Sequence, residues 1–174
     1  MSHPSISQNI VLIGMPGAGK STVGVLLAKY TSRSFIDTDL YIQAGEGKRL
    51  YEVIAEEGIK EFCEIEERYI LSLNCQGYVI ATGGSVVYSN KAMDHLKSSG
   101  VIVHLDLNLP ELEKRLSNLD ARGVVRAPGQ SLAYLYKERE PLYLRYADFT
   151  LNCDGLNHEQ VVERIMSCLS RIKD

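Results

Sequence analysis

A chain of 174 residues is long enough for one domain with a real buried core. Hydrophobic residues make up 45% and charged residues 24%, with a net charge of −3, so nothing suggests general attraction to nucleic acid or to anionic membrane. A helicase or translocating ATPase needs more chain and more basic surface; an enzyme of small metabolites needs neither.

The first eight residues, Met1 to Gln8, are polar, so no leader is expected there. Asn9 to Ile13 is a short apolar run of strand type. Gly14-Met15-Pro16-Gly17-Ala18-Gly19-Lys20-Ser21 then fills the pattern G-x-x-x-x-G-K-[ST] at every fixed position. Thr22 to Tyr30 follows with Val23, Leu26, Leu27 and Tyr30 at helical spacing. Strand, glycine loop and helix come in the order that builds an anion cradle from backbone N–H groups and a helix N-terminus. Gly14, Pro16, Gly17, Ala18, Gly19 and Thr22 are expected to wrap the phosphates of a nucleoside triphosphate. Lys20 is expected to reach the outer phosphates, and the Ser21 hydroxyl to ligate Mg²⁺.

Ser34 to Ile36 is a second strand, running into Asp37-Thr38-Asp39. One of the two aspartates is suited to Mg²⁺ and the other to accepting a proton from an attacking hydroxyl. The alternative is that Asp39 caps a helix beginning near Leu40. Leu50 to Glu57 and Ile59 to Leu73 read as helices broken near Gly58. Tyr78 to Ala81 is a third strand, closing on Thr82-Gly83-Gly84-Ser85, where two glycines let backbone pass close to a ligand.

Lys91 to Lys97 is helical, and Val101 to Leu105 is a fourth strand of parallel-interior type. Pro110, two residues after Asn108, starts a helix through Leu116 that carries Arg115, a candidate for stacking on a base. Leu119 to Ala133 is irregular and holds Arg122 and Arg126 among Gly and Pro, as a lid over phosphates would; a solvated loop is the alternative. Leu132 to Tyr146 is helical and carries Arg139 between Glu138 and Glu140, so a surface ion pair competes with a binding role. Phe149 to Leu151 is a fifth strand, and Glu159 to Arg171 an amphipathic closing helix.

Alternating strands and helices imply an α/β fold, a mostly parallel sheet with helices on both faces and ligands at the carboxyl strand ends. The phosphate loop, the Asp37–Asp39 pair and the Gly83-Gly84 turn all follow strands, so three distant segments meet at one edge. The cysteines, Cys63, Cys75, Cys153 and Cys168, show no C-x-x-C spacing, and His3, His95, His104 and His158 do not cluster with them. No zinc site is expected, and the free thiols fit a reducing cytosol. No apolar run approaches the roughly 20 residues of a membrane span. A cytoplasmic chain with a small-molecule partner, and with neither nucleic acid nor membrane, is the expectation.

On Gly14 to Ser21, Phe35 to Asp39, Phe62 to Glu66, Ala81 to Gly84 and Arg139 to Tyr143, in that order and spacing, the chain resembles the shikimate kinases over nearly its whole length. The resemblance implies a three-layer α/β/α P-loop kinase fold like that of nucleoside monophosphate kinases, with a five-stranded parallel sheet. It implies a core over 9–117 and 135–174, a lid over about 118–134, an acceptor-binding helical segment over about 37–74, and a monomer. It implies ATP and Mg²⁺ as cofactors and phosphorylation of a ring hydroxyl of shikimate. Carried over by residue, Lys20 and Ser21 match the phosphate-loop lysine and Mg²⁺ ligand, Asp37 the acid near Mg²⁺, and Asp39 the acid that binds acceptor hydroxyls and acts as base. Gly83 and Gly84 match the turn under the acceptor, Arg122 the lid arginine reaching the phosphates, Arg139 a carboxylate-binding arginine, and Arg115 an adenine-side arginine.

Three positions depart from the family pattern. Phe62-Cys63 replaces Phe-Arg, whose arginine helps clamp the acceptor carboxylate; Ser85 replaces a third glycine; and Arg122-Gly123 replaces Arg-Pro. The phosphate side is kept and the acceptor side altered, which brings in homoserine or another small hydroxy acid as an alternative acceptor, with Arg126 or Arg68 as candidate substitutes for the clamp. A non-catalytic nucleotide-binding regulator is the alternative of a different class, and intact Lys20, Ser21, Asp37 and Asp39 argue against it.

Overall fold

The computed structural model describes residues 8–116, 124–126 and 129–171. Its sheet has five parallel strands in the order β2-β3-β1-β4-β5. β1 (Asn9–Ile13) is central, with Leu12 paired to Ala81 of β3 (Tyr78–Ala81) and to Val103 of β4 (Gly100–Asp106). All five of its residues are buried, as a strand covered on both faces requires. β2 (Ser34–Asp37) and β5 (Phe149–Asn152) form the edges and are more exposed. This is the expected five-stranded α/β/α arrangement.

The helices are α1 (Lys20–Thr31), α2 (Thr38–Glu46), α3 (Leu50–Ser72), α4 (Asn90–Ser99), α5 (Leu109–Arg115), α6 (Leu132–Tyr146) and α7 (His158–Arg171). α1 packs on α7, α3 on α4, and α5 on α6. In α7 the buried residues Val161, Val162, Ile165 and Leu169 form one apolar stripe, so burial rather than propensity holds this helix in place. α3 is two helical segments joined by a kink at Gly58, whose φ of 84° and ψ of 167° are not helical. That is the interruption the sequence marked.

Two local readings are corrected. Tyr30 is not part of the buried stripe of α1; it is 58% exposed, and Gly24 and Ala28 line the inner face with Val23 and Leu27. Helix α2 starts at Thr38 rather than near Leu40, and its cap is Asp37, whose carboxylate accepts from the backbone N–H groups of Asp39 and Leu40. Asp39 is therefore released from capping. A short 3-10 turn at Val86–Tyr88, absent from the sequence reading, follows the second glycine turn.

The main core surrounds the sheet. A smaller cluster, Ile42, Leu50, Val53, Phe62, Ile65 and Val125, lies between α2, α3 and residues 124–126. It gives the acceptor side of the cleft its own apolar floor.

Candidate active site

A cleft of about 740 Å³ runs across the carboxyl ends of the strands. At one end lie the phosphate loop, Arg115, Leu116 and His158; at the other lie Asp39, Phe62, Gly83, Gly84 and Arg139. Pro16, Gly17, Gly19, Lys20, Ser21 and Thr22 line it directly, whereas Gly14 and Ala18 are buried.

The loop's shape follows from its glycines. Gly14 has φ 143°, and a Cβ there would stand 2.6 Å from the Leu105 carbonyl oxygen, so only glycine fits. Gly19 caps α1 in the left-handed region and offers no side-chain cap. The first N–H groups of α1 are thereby left for an anion, whose charge the helix dipole favours. Lys20 is buried, and its ammonium donates to the carbonyl oxygens of Gly14 and Met15 at 2.7 and 2.8 Å. Burial lowers its pKa to about 8, with the Asp39 carboxylate opposing that shift. The lysine is thus held folded back on its own loop, with the cleft beside it.

Ser21 Oγ donates to Asp37 Oδ2 at 2.5 Å, while Asp37 Oδ1 takes the cap hydrogen bonds of α2. The cap fixes the carboxylate so that its second oxygen faces the serine. Two hard oxygens meeting at the cleft rim fit Mg²⁺, which takes one or two protein ligands and fills its remaining positions with water and substrate phosphate. Among the described residues no group of three or more His, Cys, Asp or Glu is arranged for a metal.

At the acceptor end three polar tips converge on Gly83-Gly84. A Cβ on Gly83 would lie 2.5 Å from Glu66 Oε1 and 2.8 Å from Asp39 Oδ1; one on Gly84 would lie 3.0 Å from Arg139 Nη1. Both glycines are needed because any side chain would fill this space. The turn itself is fixed by hydrogen bonds from Gly83 N to Thr38 Oγ1 and from Tyr143 Oη to the Gly84 carbonyl. Thr38 and Tyr143 were not singled out from the sequence.

Arg139 is fully buried on the inward stripe of α6, with Leu132, Leu135, Tyr143 and Tyr146. The surface pairing with its acidic neighbours does not form. Its Nε donates to Tyr88 Oη at 3.0 Å, its Nη2 to the Val125 carbonyl, and Tyr88 in turn donates to Glu138. Nη1 makes no hydrogen bond among the described residues and faces the cleft.

Arg115 is half-buried and donates to the Gly17 carbonyl at 3.3 Å, which sets it beside the loop. Arg122, with residues 118–121, 123, 127 and 128 of the expected lid, lies outside the described residues. Neither candidate substitute for the missing clamp lines the cleft. Arg68 is exposed and pairs with Glu46 at 3.3 Å, and Arg126 donates to the Gln130 carbonyl at 2.5 Å. Cys63 is half-buried against the smaller cluster and is not part of the cleft wall.

Glu66, set beside Gly83 behind the cleft lining, is the buried carboxylate that sequence reasoning passed over. It is 2% exposed, its Oε2 accepts from Ser85 Oγ at 2.6 Å, and its Oε1 has no partner among the described residues. Its signal was its place on α3: four residues after Phe62, it shares that residue's inward face. Burial pushes its pKa from 4.5 to about 7; the Ser85 hydrogen bond opposes this, the Asp39 charge adds to it, and Arg139 and Lys20 pull it back. The folded protein therefore binds this proton more tightly than the unfolded chain, so its contribution to stability is lost as pH rises from about 4.5 towards 7. Glu66→Gln is expected to flatten that decline. Melting temperatures of both proteins at about pH 5 and about pH 8 check it; an equal drop in the two would refute the assignment.

Comparison with known proteins bears on this geometry. A family profile described as shikimate kinase matches residues 16–170. The shikimate kinase of Thermodesulfovibrio yellowstonii is 36% identical over 170 residues, covering 96% of this chain and 98% of that protein. That of Sulfurihydrogenibium sp. is 33% identical over 165 residues, covering 94% and 99%. Among solved structures, shikimate kinase from Acinetobacter baumannii in complex with shikimate superposes with a TM-score of 0.87 at 28% identity, over 96% of this chain and 95% of that one. Thymidylate kinase from Candida albicans, with a TM-score of 0.61 at 14% identity over 96% and 92%, shares the fold alone.

Proposed function

Because this chain belongs to the shikimate kinase family, we propose that it transfers the γ-phosphoryl group of ATP to a ring hydroxyl of shikimate. The observation that carries this reading is the meeting of two differently built ends in one cleft: an uncapped helix start with a glycine loop, and a buried arginine facing a carboxylate across a two-glycine floor. The first suits phosphates. The second suits a small molecule with one carboxylate and hydroxyls.

In this reading Arg139 Nη1 holds the acceptor carboxylate, and Asp39 takes the proton of the reacting hydroxyl. A bond forms from that oxygen to the γ-phosphorus, and the bond to the ADP oxygen breaks. Lys20 and the N–H groups of the loop hold the phosphates and stabilise the charge that moves towards ADP. Ser21 and Asp37 would hold Mg²⁺, which supplies charge neutralisation between the phosphates. Arg115 flanks the base side. Arg122 is assigned to closing over the phosphates on the family resemblance.

The finer surroundings belong to the same proposal. A monomer belongs to that proposal on the family resemblance. The four cysteines are free thiols, which suits the cytoplasm. No described helix is long and apolar enough to cross a membrane.

The test is a coupled ADP-release assay with shikimate, homoserine and gluconate, with and without Mg²⁺. ADP release is expected with shikimate and is expected to stop when EDTA removes the metal. Turnover of homoserine in place of shikimate, or ATP binding with no turnover of any acceptor, would overturn the reading.

A further inference from the structure

No ion pair joins Arg139 to a carboxylate among the described residues. A phenol stands between the guanidinium and Glu138 instead. Arg139 Nε donates to Tyr88 Oη at 3.0 Å, and Tyr88 donates its own proton to Glu138 Oε1 at 2.5 Å. Glu138 Oε2 also accepts from Gln130 Nε2 at 3.1 Å. The chain from Arg139 to Glu138 runs one way, from cation through hydroxyl to carboxylate. A carboxylate at its end draws on the phenol proton and makes the phenol oxygen a better acceptor for Nε–H. The guanidinium carbon lies 5.0 Å from the centroid of the Tyr88 ring, a second attraction between the same two residues.

Tyr88 is itself held. It closes the 3-10 turn Val86–Tyr88, in which Val86 and Val87 are buried, and its N–H donates to the Ser85 carbonyl at 2.9 Å. Ser89, next in the chain, caps α4 through the N–H of Ala92. Tyr88 does not line the cleft, so any effect on the acceptor passes through Arg139.

Among the described residues Arg139 is the arginine that lines the acceptor end, and Cys63 stands where the family pattern has a second clamp arginine. A lone guanidinium that grips a carboxylate must be aimed, and its charge must stay available. A glutamate paired to it directly would compete with the acceptor. Here Tyr88 takes Nε, the Val125 carbonyl takes Nη2, and Nη1 is left for the cleft, buried and without a hydrogen-bond partner among the described residues.

We propose that Tyr88 is a positioning residue for acceptor-carboxylate binding: it aims Arg139 through Nε and links it to Glu138 without an ion pair that would neutralise it. This rests on the shikimate reading above and names what holds the clamp arginine of this chain in place.

The test is steady-state kinetics of the full chain with ATP, Mg²⁺ and shikimate. Tyr88→Phe keeps the ring and removes the hydroxyl. It is expected to raise KM for shikimate roughly 10-fold, the scale of one hydrogen bond to a charged group. KM for ATP should stay nearly constant and kcat should change by less than KM for shikimate, because Arg139 grips the carboxylate both before and during transfer. Glu138→Ala, at an exposed position, is expected to raise KM for shikimate by less. Added to Tyr88→Phe it should do nothing more, since its effect travels through the hydroxyl. Three results overturn the proposal: an unchanged KM for shikimate in Tyr88→Phe, a rise shared equally by KM for ATP, or a Glu138→Ala effect of the same size with and without the hydroxyl. If Tyr88→Phe fails to fold, an unchanged KM for shikimate in Glu138→Ala overturns it instead. Failure of the shikimate reading looks different: no turnover of shikimate by the unaltered enzyme.

Discussion

Lys20→Ala is expected to lower phosphoryl transfer by about 10³-fold or more, towards loss of measurable turnover. The lysine is the cation at the phosphate end that the sequence motif demands, and it lies in the wall of the cleft. Its ammonium is presently spent on two loop carbonyls, Gly14 and Met15, and burial brings its pKa down to about 8. Both facts keep it close, partly desolvated and ready to exchange carbonyl partners for phosphate oxygens. Desolvation also strengthens its interaction with those oxygens when they arrive. The substitution leaves two buried acceptors without their donor, which costs about 1–3 kcal/mol each at most. The five-stranded sheet does not depend on them, so cooperative unfolding should persist at a lowered melting temperature. Single-turnover ADP formation, paired with a thermal melt, checks both halves. Substantial retained turnover would remove Lys20 from the reaction, and loss of cooperative unfolding would assign it to the loop's architecture instead.

The second large effect is at Asp39. Asp39→Asn is expected to reduce kcat by about 10²-fold or more while KM for ATP stays nearly constant. Burial raises the Asp39 carboxyl to about 6; the Asp37 charge adds to the shift and Lys20 opposes it. A base with a pKa close to the working pH is ionised and still takes a proton readily. Asparagine keeps the shape and removes that capacity. The helix behind it is not at risk, because the cap of α2 is made by Asp37 to the backbone N–H of residue 39 and survives any side chain there. Steady-state kinetics with saturating shikimate and ATP decide it. Normal kcat in the variant would return proton removal to water or to another group.

The sequence by itself determined the sheet, the phosphate loop and the order in which they appear. These are local matters: β1 is Asn9 followed by four consecutive apolar residues, α6 follows its stripe from Leu132 to Tyr146, and Gly14 and Gly19 need backbone angles that other residues resist. Side-chain period and glycine stereochemistry act over a few residues, so they can be read without knowing what lies across the fold. The family pattern likewise pointed to Asp39, Gly83, Gly84 and Arg139, which line the cleft, and to Asp37, which accepts from Ser21.

Only the tertiary structure decided which atoms of those residues face the cleft. Asp37 and Asp39 are near neighbours of one residue type, and sequence offered the cap to Asp39; folding gives it to Asp37 because helix α2 begins two residues earlier, at Thr38. Arg139 lies between two glutamates that invite a surface pair, yet the stripe of α6 turns it inward to Tyr88 and Val125. Glu66 looked like one more glutamate on a charged helix until α3 packed against the glycine turn and Ser85 took one of its oxygens. For Arg139 and Glu66 the partners are distant in the chain, 14 to 51 residues away for Arg139 and 19 for Glu66. No local pattern encodes such a meeting, because burial and pairing are properties of the packed surfaces rather than of the segment that carries the charge.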